Sequence, residues 1–414
     1  MKMLRVLFLS PHFHPEKIST GKYNSLLVKG LLDRGAVVQV IASHPFYPSW
    51  EPVRSEERFL AASIHRGGDW LRYPSRPLLR RILLEVWFSW HSFWKTLSLR
   101  ENVDLAVLVF PPNLYGLFVR LLLPRSIRKI GIIHDLQAIL GLNGQSWPGR
   151  ALNRVVHAIE KKAFQSCEKL IVLSDQMART VVRSYSLDPA KVIVCYPFRT
   201  LPAGSGSGHN LAHILDDGPA HVVYSGALGK KQNSLKLFEF FQAAAKEMPG
   251  IRFHLFSEGP LFSQLRRCCA SQDSNSVQLH ELVHENDLEE LYARSTVQVI
   301  PQVQSESSGC FPSKLPNILA AGCPVLAICD PASDLAHFIT QASVGAIAVS
   351  WDGHELMSKL RLVLDQSALQ KREARQAAVS DMLLTKFSLE KLLDTILGSA
   401  PQRTEWVESP VVVP

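Results

Sequence analysis

Pro312, Ser313 and Lys314 stand where a loop rich in serine and glycine, 305–309, leads into a predicted helix. Ser313 is a typical N-cap residue, and Lys314 places a mobile cation on the first helical turn. A loop that joins a buried strand to a helix start presents free backbone N–H groups at the positive end of the helix. These residue types at this spacing predict a diphosphate-binding element. The alternative is an ordinary strand-to-helix connection with a surface lysine.

A second stretch suited to a diphosphate lies at 225–232, SGALGKKQ, directly after the apolar run 221–224. Here a strand runs into glycines, beginning with Gly226, and then into two lysines before a predicted helix. Of Lys230 and Lys231, we favour Lys231 as the second cation of the site. The alternative is a solvated helix start.

His134 and Asp135 follow the apolar run 130–133, which is predicted to be a strand. Binding sites of α/β proteins form at the carboxyl ends of such strands, so the position favours a functional role for the pair. The alternative for a lone histidine is a place in the core.

Short apolar runs bounded by turn residues alternate with segments of helical periodicity along the whole chain. The order strand, loop, helix, strand at 4–41 is typical of a doubly wound α/β fold. The first loop is poor in glycine and lacks G-x-G-x-x-G, which argues against an NAD-dependent oxidoreductase. The predicted strands are 4–9, 37–41, 105–110, 130–133, 170–173 and 192–195 in the first half, and 221–224, 251–256, 277–279, 297–300, 325–328 and 345–349 in the second.

Length and composition favour a two-domain protein with large cores. The chain has 414 residues, of which 46% are hydrophobic. Residues 1–200 carry 28 Lys and Arg against 14 Asp and Glu, while residues 201–414 carry 17 against 23. A basic half joined to an acidic half indicates two domains with different partners. We find no nucleic-acid-binding motif, so anionic lipid or a phosphorylated substrate is expected at the basic half.

The expected domains are 1–198, 220–385 and a returning helix within 386–400. The segment 199–219, which contains GSGSG, is predicted to be a linker, and 401–414 a loose tail. The seven cysteines are scattered without zinc spacing, which suits a reducing cytoplasmic setting. The N-terminus is interpreted as a buried strand instead of a signal peptide, and no apolar run is long enough to predict a transmembrane helix.

Residues 78–99 predict an amphipathic helix with a wide aromatic stripe and cations at both ends. Basic flanks and interfacial tryptophans are typical of helices that lie on anionic membranes. The alternative is a core helix of the first sheet, and the basic stretch 117–128 extends the same surface. The residues predicted to meet the membrane are Arg80, Arg81, Trp87, Trp90 and Trp94.

The sequence PSKLPNILAAGCPV at 312–325 resembles the donor-binding element of family-4 GT-B glycosyltransferases, especially the colanic-acid or exopolysaccharide subgroup. The first loop resembles the subgroup's P-E-x-x-G-x-G-K-Y pattern through Gly21, Lys22 and Tyr23. A Pro- and aromatic-rich loop that includes Tyr47 is similar to its P-x-Y-P-x-W loop. The resemblance covers nearly the whole chain.

The resemblance implies a GT-B architecture, with two Rossmann-like domains facing a cleft and a C-terminal crossover helix. It implies a metal-independent retaining transfer of a hexosyl group from a nucleotide-sugar, with no cofactor. It also implies an acceptor role, through close approach to the chain, for Gly21, Lys22, Tyr23 and Tyr47. The implied catalytic residues are His134, Asp135, Lys231 and Lys314, and the donor-binding residues are Gly226, Lys230, Lys231, Glu258, Leu282, Pro312, Ser313, Lys314, Leu315 and Asn317.

Some positions depart from the family pattern. Gly309 and Asn317 stand where most members have two glutamates, the second of which holds ribose hydroxyls, and Ala227 replaces an arginine. The expected function is a glycosyltransferase of cell-surface polysaccharide synthesis, peripheral to the inner face of the cytoplasmic membrane. Its expected acceptor is a polyprenyl-diphosphate-linked saccharide, and no nucleic acid is expected as a partner. The alternative is a noncatalytic scaffold of a polysaccharide-assembly complex.

Overall fold

A computed structural model of the chain describes residues 3–16, 18–136, 147–201, 209–218, 220–229, 232–270, 277–302 and 311–399. The chain divides into two units. The first runs from the N-terminus to Tyr196 and includes the C-terminal helix that begins at Leu389, and the second is Pro197–Ser388.

The first unit is built on a sheet of seven parallel strands in the order β3-β2-β1-β4-β5-β6-β7. Parallel strands covered by helices on both faces must be apolar throughout, and all six side chains of LAVLVF in the central strand β4 are buried. The strands are β1 Arg5–Leu9, β2 Val37–Ser43, β3 Ser63–Gly67, β4 Leu105–Phe110, β5 Arg128–Ile133, β6 Lys169–Val172 and β7 Val192–Val194.

The helices that cover this sheet are α1 Ser19–Asp33, α2 Pro77–Leu99, α3 Leu114–Leu122, α4 Trp147–Gln165 and α5 Asp175–Tyr185. Helix α5 begins as its sequence predicts, because the Ser174 side chain accepts a hydrogen bond from the backbone N–H of Met177. Helix α1 begins at Ser19, three residues earlier than expected, so Gly21, Lys22 and Tyr23 lie in its first turns and not in the preceding loop.

The second unit has a sheet of six parallel strands in the order β10-β9-β8-β11-β12-β13. Its strands are β8 Ala220–Ser225, β9 Ile251–Ser257, β10 Val277–Glu281, β11 Val297–Pro301, β12 Val325–Ile328 and β13 Gly345–Ala348. Its helices are α6 Ser234–Glu247, α7 Pro260–Ala270, α8 Leu288–Arg294, α9 Leu315–Ala320, α10 Asp334–Ala342, α11 Gly353–Leu369 and α12 Arg372–Thr385. Two doubly wound parallel sheets confirm the predicted fold class.

The last helix, α13 Leu389–Leu397, returns to the first unit and packs on α1. Gly30 leaves room for Leu393, since a Cβ at Gly30 would lie 2.6 Å from Leu393 Cδ1. Arg34 forms ion pairs with Glu390 and, at 2.6 Å, with Asp394. The predicted crossover helix is therefore present, held by an apolar contact and a pair of carboxylates.

Residues 209–218 of the predicted linker are folded onto the second unit. Leu211 and Leu215 are buried, and Arg294 donates a hydrogen bond to the backbone oxygen of Leu215 at 3.1 Å. The backbone N–H groups of Asn210 and Leu211 donate to Glu290. Leu211 and Leu215 are the only buried apolar residues of this segment. Two apolar residues are too few to predict this packing from the sequence.

Within the described residues, no helix combines the length and the apolar content that crossing a bilayer would require.

Candidate functional site

Lys314 lies at the carboxyl end of β8, where the sequence predicts an anion site. Its Nζ donates a hydrogen bond to the backbone oxygen of Ser225 at 2.9 Å and lies 4.6 Å from the centroid of the Tyr224 ring. The expected mobile cation is thus held in place by the end of the strand and an aromatic face. Burial lowers the pKa of Lys314 to about 8. Within the described residues, no carboxylate pairs with this ammonium group.

Gly226 brings the backbone close to the same ammonium group. Its φ of +147° lies in the region that favours glycine, and a Cβ there would lie 3.9 Å from Lys314 Nζ. The backbone N–H of Gly226 donates to Phe256 and its backbone oxygen accepts from the Ser257 hydroxyl at 2.8 Å. The ends of β8 and β9 are therefore tied together beside Lys314.

Ser313 does not cap a helix, which corrects the sequence prediction. The short helix α9 begins at Leu315, Lys314 occupies the N-cap position, and no side chain accepts a hydrogen bond there. Ser313 is exposed and Pro312 half-buried, while Leu315 is fully buried and anchors the helix in the core. Lys314 therefore contributes its side chain to the site.

Asn317, predicted to hold ribose hydroxyls, is engaged within the second unit. Its Oδ1 accepts the backbone N–H groups of Thr200 at 2.9 Å and Leu201 at 3.1 Å, and its Nδ2 donates to the Thr200 hydroxyl. The side chain is buried. In this arrangement Asn317 fixes the segment that enters the second unit, and only one amide hydrogen remains for another partner.

The other predicted donor residues are less engaged. Glu258 is exposed, next to Gly259 with its φ of +96°, and Leu282 is half-buried after β10. Lys230, Lys231 and Gly309 lie outside the described residues. The roles assigned to the two lysines therefore stay predictions.

In the first unit, His134 and Tyr23 come together. Their rings meet edge to face with centroids 5.0 Å apart. His134 Nε2 is buried and has no hydrogen-bond partner among the described residues. Burial, together with nearby His12, lowers the pKa of His134 to about 4, so the imidazole is neutral at neutral pH.

Asp135 turns towards its own backbone, since its Oδ1 accepts the N–H of Leu136 at 3.0 Å. Gly21 is required by the fold, because a Cβ there would lie 2.8 Å from the backbone oxygen of Glu16. The close approach predicted at Gly21 is thus made by the protein itself. Lys22 is half-buried on α1.

His12 and Glu16 form a contact that the sequence does not predict. His12 Nδ1 lies 2.6 Å from Glu16 Oε2, and Glu16 Oε1 accepts the backbone N–H groups of Phe46 and Tyr47. Glu16 thus holds the backbone of Tyr47, an expected acceptor residue. The Tyr47 side chain stays accessible, because the residue is 37% exposed. The only indication in the sequence is an acidic residue, Glu16, between two apolar elements. Its position does not identify the groups that it binds.

Helix α2 presents a continuous apolar face to solvent. Ile82, Val86, Trp90 and Trp94, spaced four residues apart, are 41–62% exposed. The rings of Trp90 and Trp94 contact each other with centroids 5.5 Å apart. We call these four residues, with Leu78 and Leu79 on the first turn, the aromatic face.

Trp87 is not part of the aromatic face, and its predicted contact with a membrane is wrong. The ring is 7% exposed, stacks on His91 and fills the space above Gly68. Arg80 lies 4.4 Å from the Trp50 ring centroid, while Arg81 is exposed. Of the predicted membrane residues, Arg81, Trp90 and Trp94 are therefore exposed.

No cluster of three or more His, Cys, Asp or Glu residues that could hold a metal ion occurs in the part of the chain that the structure describes.

Two family models match the chain, each mainly over one unit. The model of Glycosyltransferase Family 4 matches residues 20–199, and that of Glycosyl transferases group 1 matches residues 219–366. Together these matches take in most of both sheets.

Three individual proteins are similar to most of this chain. WcaI of Escherichia coli K12, whose name assigns it to colanic acid biosynthesis as a glycosyl transferase, is 24% identical over 77% of this chain and 82% of its own. WaaG, a glycosyltransferase involved in lipopolysaccharide biosynthesis, is 17% identical with a TM-score of 0.66 over 95% of this chain and 100% of its own. Anabaena Alr3699/HepE, solved with UDP-glucose, is 12% identical with a TM-score of 0.63 over 96% and 99% of the two chains.

Proposed function

Since the chain belongs to the family-4 glycosyltransferases of GT-B fold, we propose that it transfers a hexosyl group, with retention, from a nucleotide-sugar to a saccharide acceptor. The acceptor we propose is lipid-linked or a growing polysaccharide, as expected for cell-surface or exopolysaccharide synthesis. The name of WcaI and the UDP-glucose bound to HepE support this choice of pathway and donor.

The observation that carries the proposal is the Lys314 ammonium group at the end of β8. A half-buried cation whose pKa is lowered by burial and that meets only a carbonyl and a ring lacks the charge that would compensate it. A diphosphate supplies that charge. Gly226 has no side chain to lie between its backbone and the ammonium group, since a Cβ there would be 3.9 Å from Lys314 Nζ.

In the proposed reaction the acceptor hydroxyl attacks the anomeric carbon on the face that the diphosphate leaves. The new C–O bond forms as the bond to the leaving phosphate breaks, and that phosphate takes the hydroxyl proton. Lys314, with Lys231, stabilises the negative charge on the leaving group, which for one such cation is worth about 2–4 kcal/mol. Neutral His134, beside Tyr23, is proposed to contact the transferred sugar.

Thermal-shift binding of UDP, GDP, ADP and TDP, alone and as sugar conjugates, tests the donor site. We expect a shift for one nucleotide that is lost in Lys314→Ala and Lys231→Ala. Lys246→Ala, which removes an exposed lysine from α6, is the matched control and should keep the shift. A well-folded protein that responds to no nucleotide would overturn the enzyme proposal.

The second candidate, a noncatalytic scaffold, is favoured by one observation. The Asn317 side chain that replaces the family's ribose-binding glutamate is already bonded to Thr200 and Leu201. A scaffold would keep the fold and the aromatic face but bind no nucleotide-sugar, so the same thermal-shift measurement separates the two candidates.

We further propose that the aromatic face docks on the anionic inner surface of the cytoplasmic membrane. Exposed tryptophans at four-residue spacing, on a helix whose first turns carry the exposed Arg81, suit the interface between headgroups and acyl chains. Free buried cysteines among the described residues, such as Cys167 and Cys195, suit a reducing compartment.

Vesicle flotation tests this docking. Trp90→Ala with Trp94→Ala should reduce binding to phosphatidylglycerol-containing vesicles at least about tenfold, given the apolar area removed. Trp70→Ala is the control, because Trp70 is 69% exposed on the same unit but lies outside the aromatic face. Equal binding by the two variants would contradict the docking proposal.

A further inference from the structure

A cavity of about 580 Å³ opens at the amino ends of β5, β6 and β7. His134 follows the carboxyl end of β5, so the cavity and His134 lie at opposite edges of the sheet, separated by a strand roughly 20 Å long. This cavity therefore does not belong to the site described above. Its charged lining residues, which we call the basic pocket, are Arg120, Arg125, Arg128, Lys129, Lys191 and Glu168.

Two of the five cations in the basic pocket serve the fold. Lys129 Nζ donates to the backbone oxygens of Pro124 and Ile127 at 2.8 and 2.9 Å. Arg128 donates to the backbone oxygen of Leu397, at the end of α13, and its Nε pairs with Glu168 at 3.2 Å. The single carboxylate among the described lining residues is thus already matched by a cation.

The other three cations, Arg120, Arg125 and Lys191, are exposed. In the part of the chain that the structure describes, their side chains make no hydrogen bond and no ion pair. Three uncompensated cations around a concave surface create a positive potential that attracts an anion. Arginine in such a place suits phosphate oxygens through paired N–H donors.

The basic pocket is lined in part by α3, which packs on α2, the helix that carries the aromatic face. Leu121 lines the cavity and is 77% exposed, and it lies on α3, which packs on α2. On the same two helices the Phe93 and Phe118 rings contact each other with centroids 5.6 Å apart. An anion bound in the basic pocket would therefore have the exposed side chain of Leu121 beside it. A free anion gains nothing from an apolar neighbour, whereas the phosphate of a lipid is joined to acyl chains that can pack against it.

We propose that the basic pocket binds the phosphate-bearing headgroup of an anionic phospholipid while the aromatic face enters the membrane interface. The proposal rests on the membrane docking proposed above and adds to it a defined site. The cavity volume is in the range of small-ligand sites, which suits a headgroup such as glycerophosphate.

The test measures binding of the full chain to vesicles of phosphatidylcholine mixed with either phosphatidylglycerol or oleate. The two mixtures are matched in surface charge by their zeta potential, and only the first contains a phospholipid whose phosphate gives it a net negative charge. We expect wild type to prefer the phosphatidylglycerol vesicles. Arg125→Ala with Lys191→Ala should reduce that binding by about 25-fold, since each cation near an anionic surface contributes about a fivefold factor.

Two controls separate a pocket from diffuse charge. Arg267→Ala removes an exposed cation from α7 of the second unit and should change binding less than about twofold. Arg81→Ala removes an exposed cation from the first turns of α2, outside the basic pocket, and should weaken binding to both kinds of vesicle by the same factor. If Arg125→Ala also weakens binding to both kinds of vesicle by the same factor, or if wild type binds oleate and phosphatidylglycerol vesicles equally, the pocket proposal is overturned.

The outcomes also separate this proposal from those it rests on. If wild type binds none of the vesicles, the docking proposal is wrong, and the pocket proposal, which rests on it, is wrong as well. If only the Trp90 and Trp94 changes reduce binding, docking stands and the pocket proposal alone fails. If inorganic phosphate without vesicles raises the melting temperature of wild type as strongly as the lipid does, and the pocket variants abolish both effects, the site takes free phosphate and the lipid assignment is wrong. Nucleotide binding, measured by thermal shift, does not depend on any of these vesicle or phosphate results, so it tests the enzyme proposal separately.

Discussion

His12 Nδ1 lies 2.6 Å from Glu16 Oε2, and the other oxygen of that carboxylate accepts the backbone N–H groups of Phe46 and Tyr47. One buried carboxylate thereby joins the loop after β1 to the loop after β2. When His12 is neutral, this contact places its proton on Nδ1 and leaves Nε2 as an acceptor. His12 also lies near His134 and contributes to the lowered pKa of that residue.

We expect Glu16→Ala to lower the free energy of unfolding by about 2–4 kcal/mol, because two buried N–H groups and His12 lose their acceptor. Glu16→Gln should cost less, since its amide oxygen still accepts from the backbone. Urea unfolding measures both changes. The control is Glu51→Gln, an exposed glutamate nearby, whose effect should stay within about 0.5 kcal/mol. Equal stability for Glu16→Ala and wild type would show that the carboxylate does not hold these loops.

Donor binding should depend on pH through Lys314. Burial lowers its pKa to about 8, so in the free protein the ammonium loses its proton as pH rises above that value, and a bound diphosphate would restore it. We therefore expect the Kd for the nucleotide to rise up to tenfold per pH unit above about pH 8.

In Lys314→Arg the guanidinium keeps its charge, so this rise should disappear even if binding is weaker overall. Isothermal titration between neutral and alkaline pH measures the effect. A wild-type profile as flat as that of Lys314→Arg would refute the assignment of Lys314 to the diphosphate.

His134 should act as a neutral side chain. Because its pKa is lowered to about 4, we expect no change in kcat near pH 6.5 that depends on this residue. His134→Gln should reduce kcat about 100-fold by removing a contact to the transferred sugar, while the nucleotide-induced thermal shift persists. A variant with wild-type kcat would instead place His134 among the core residues.

The second unit should lose stability in acid through a row of histidines. His221, His254 and His280 lie on the neighbouring strands β8, β9 and β10, with ring nitrogens 2.9 and 3.2 Å apart. Burial, then His221 and His280, lower the pKa of His254 to about 3. Between its ordinary value of about 6.5 and that value, the unfolded chain binds a proton that the folded chain does not. Stability is therefore full above about pH 6.5 and falls as pH decreases, by up to about 1.4 kcal/mol per unit.

Urea unfolding at mildly acidic and neutral pH tests the histidine row. His254→Gln keeps a hydrogen-bonding side chain but does not titrate, so its stability should depend less on pH than that of wild type. The exposed His354→Gln provides the comparison and should behave as wild type does. An unchanged pH dependence in His254→Gln would rule out the row as the cause.

The fold and the location of the site follow from local patterns, because buried parallel strands must be apolar and sites form where they end. Such patterns do not identify partners distant in the chain. Asn317 stands in the predicted element, but its partner Thr200 lies 117 residues away. The partners of Glu16 are backbone N–H groups, which no residue type reveals.

Helix α2 shows the same limit within one element. Its aromatic stripe is wide enough that the sequence places Trp87, Trp90 and Trp94 on one surface. The structure buries Trp87 against Gly68. This residue has a φ of +85°, which favours glycine, and has no side chain to block the ring. The exposed pair follows Ile82 and Val86 at four-residue spacing, and only the packing partners of α2 distinguish the two groups.

The return of α13 to α1 has a consequence for the order in which the protein is made. The ribosome synthesises the whole second unit, Pro197–Ser388, before Leu393 emerges to cover Gly30. Until then the Gly30 face of α1 is left uncovered and Arg34 lacks Glu390 and Asp394. The first unit of a nascent chain is therefore completed only after α13 has been synthesised, and a chain cut short before Leu389 never completes it.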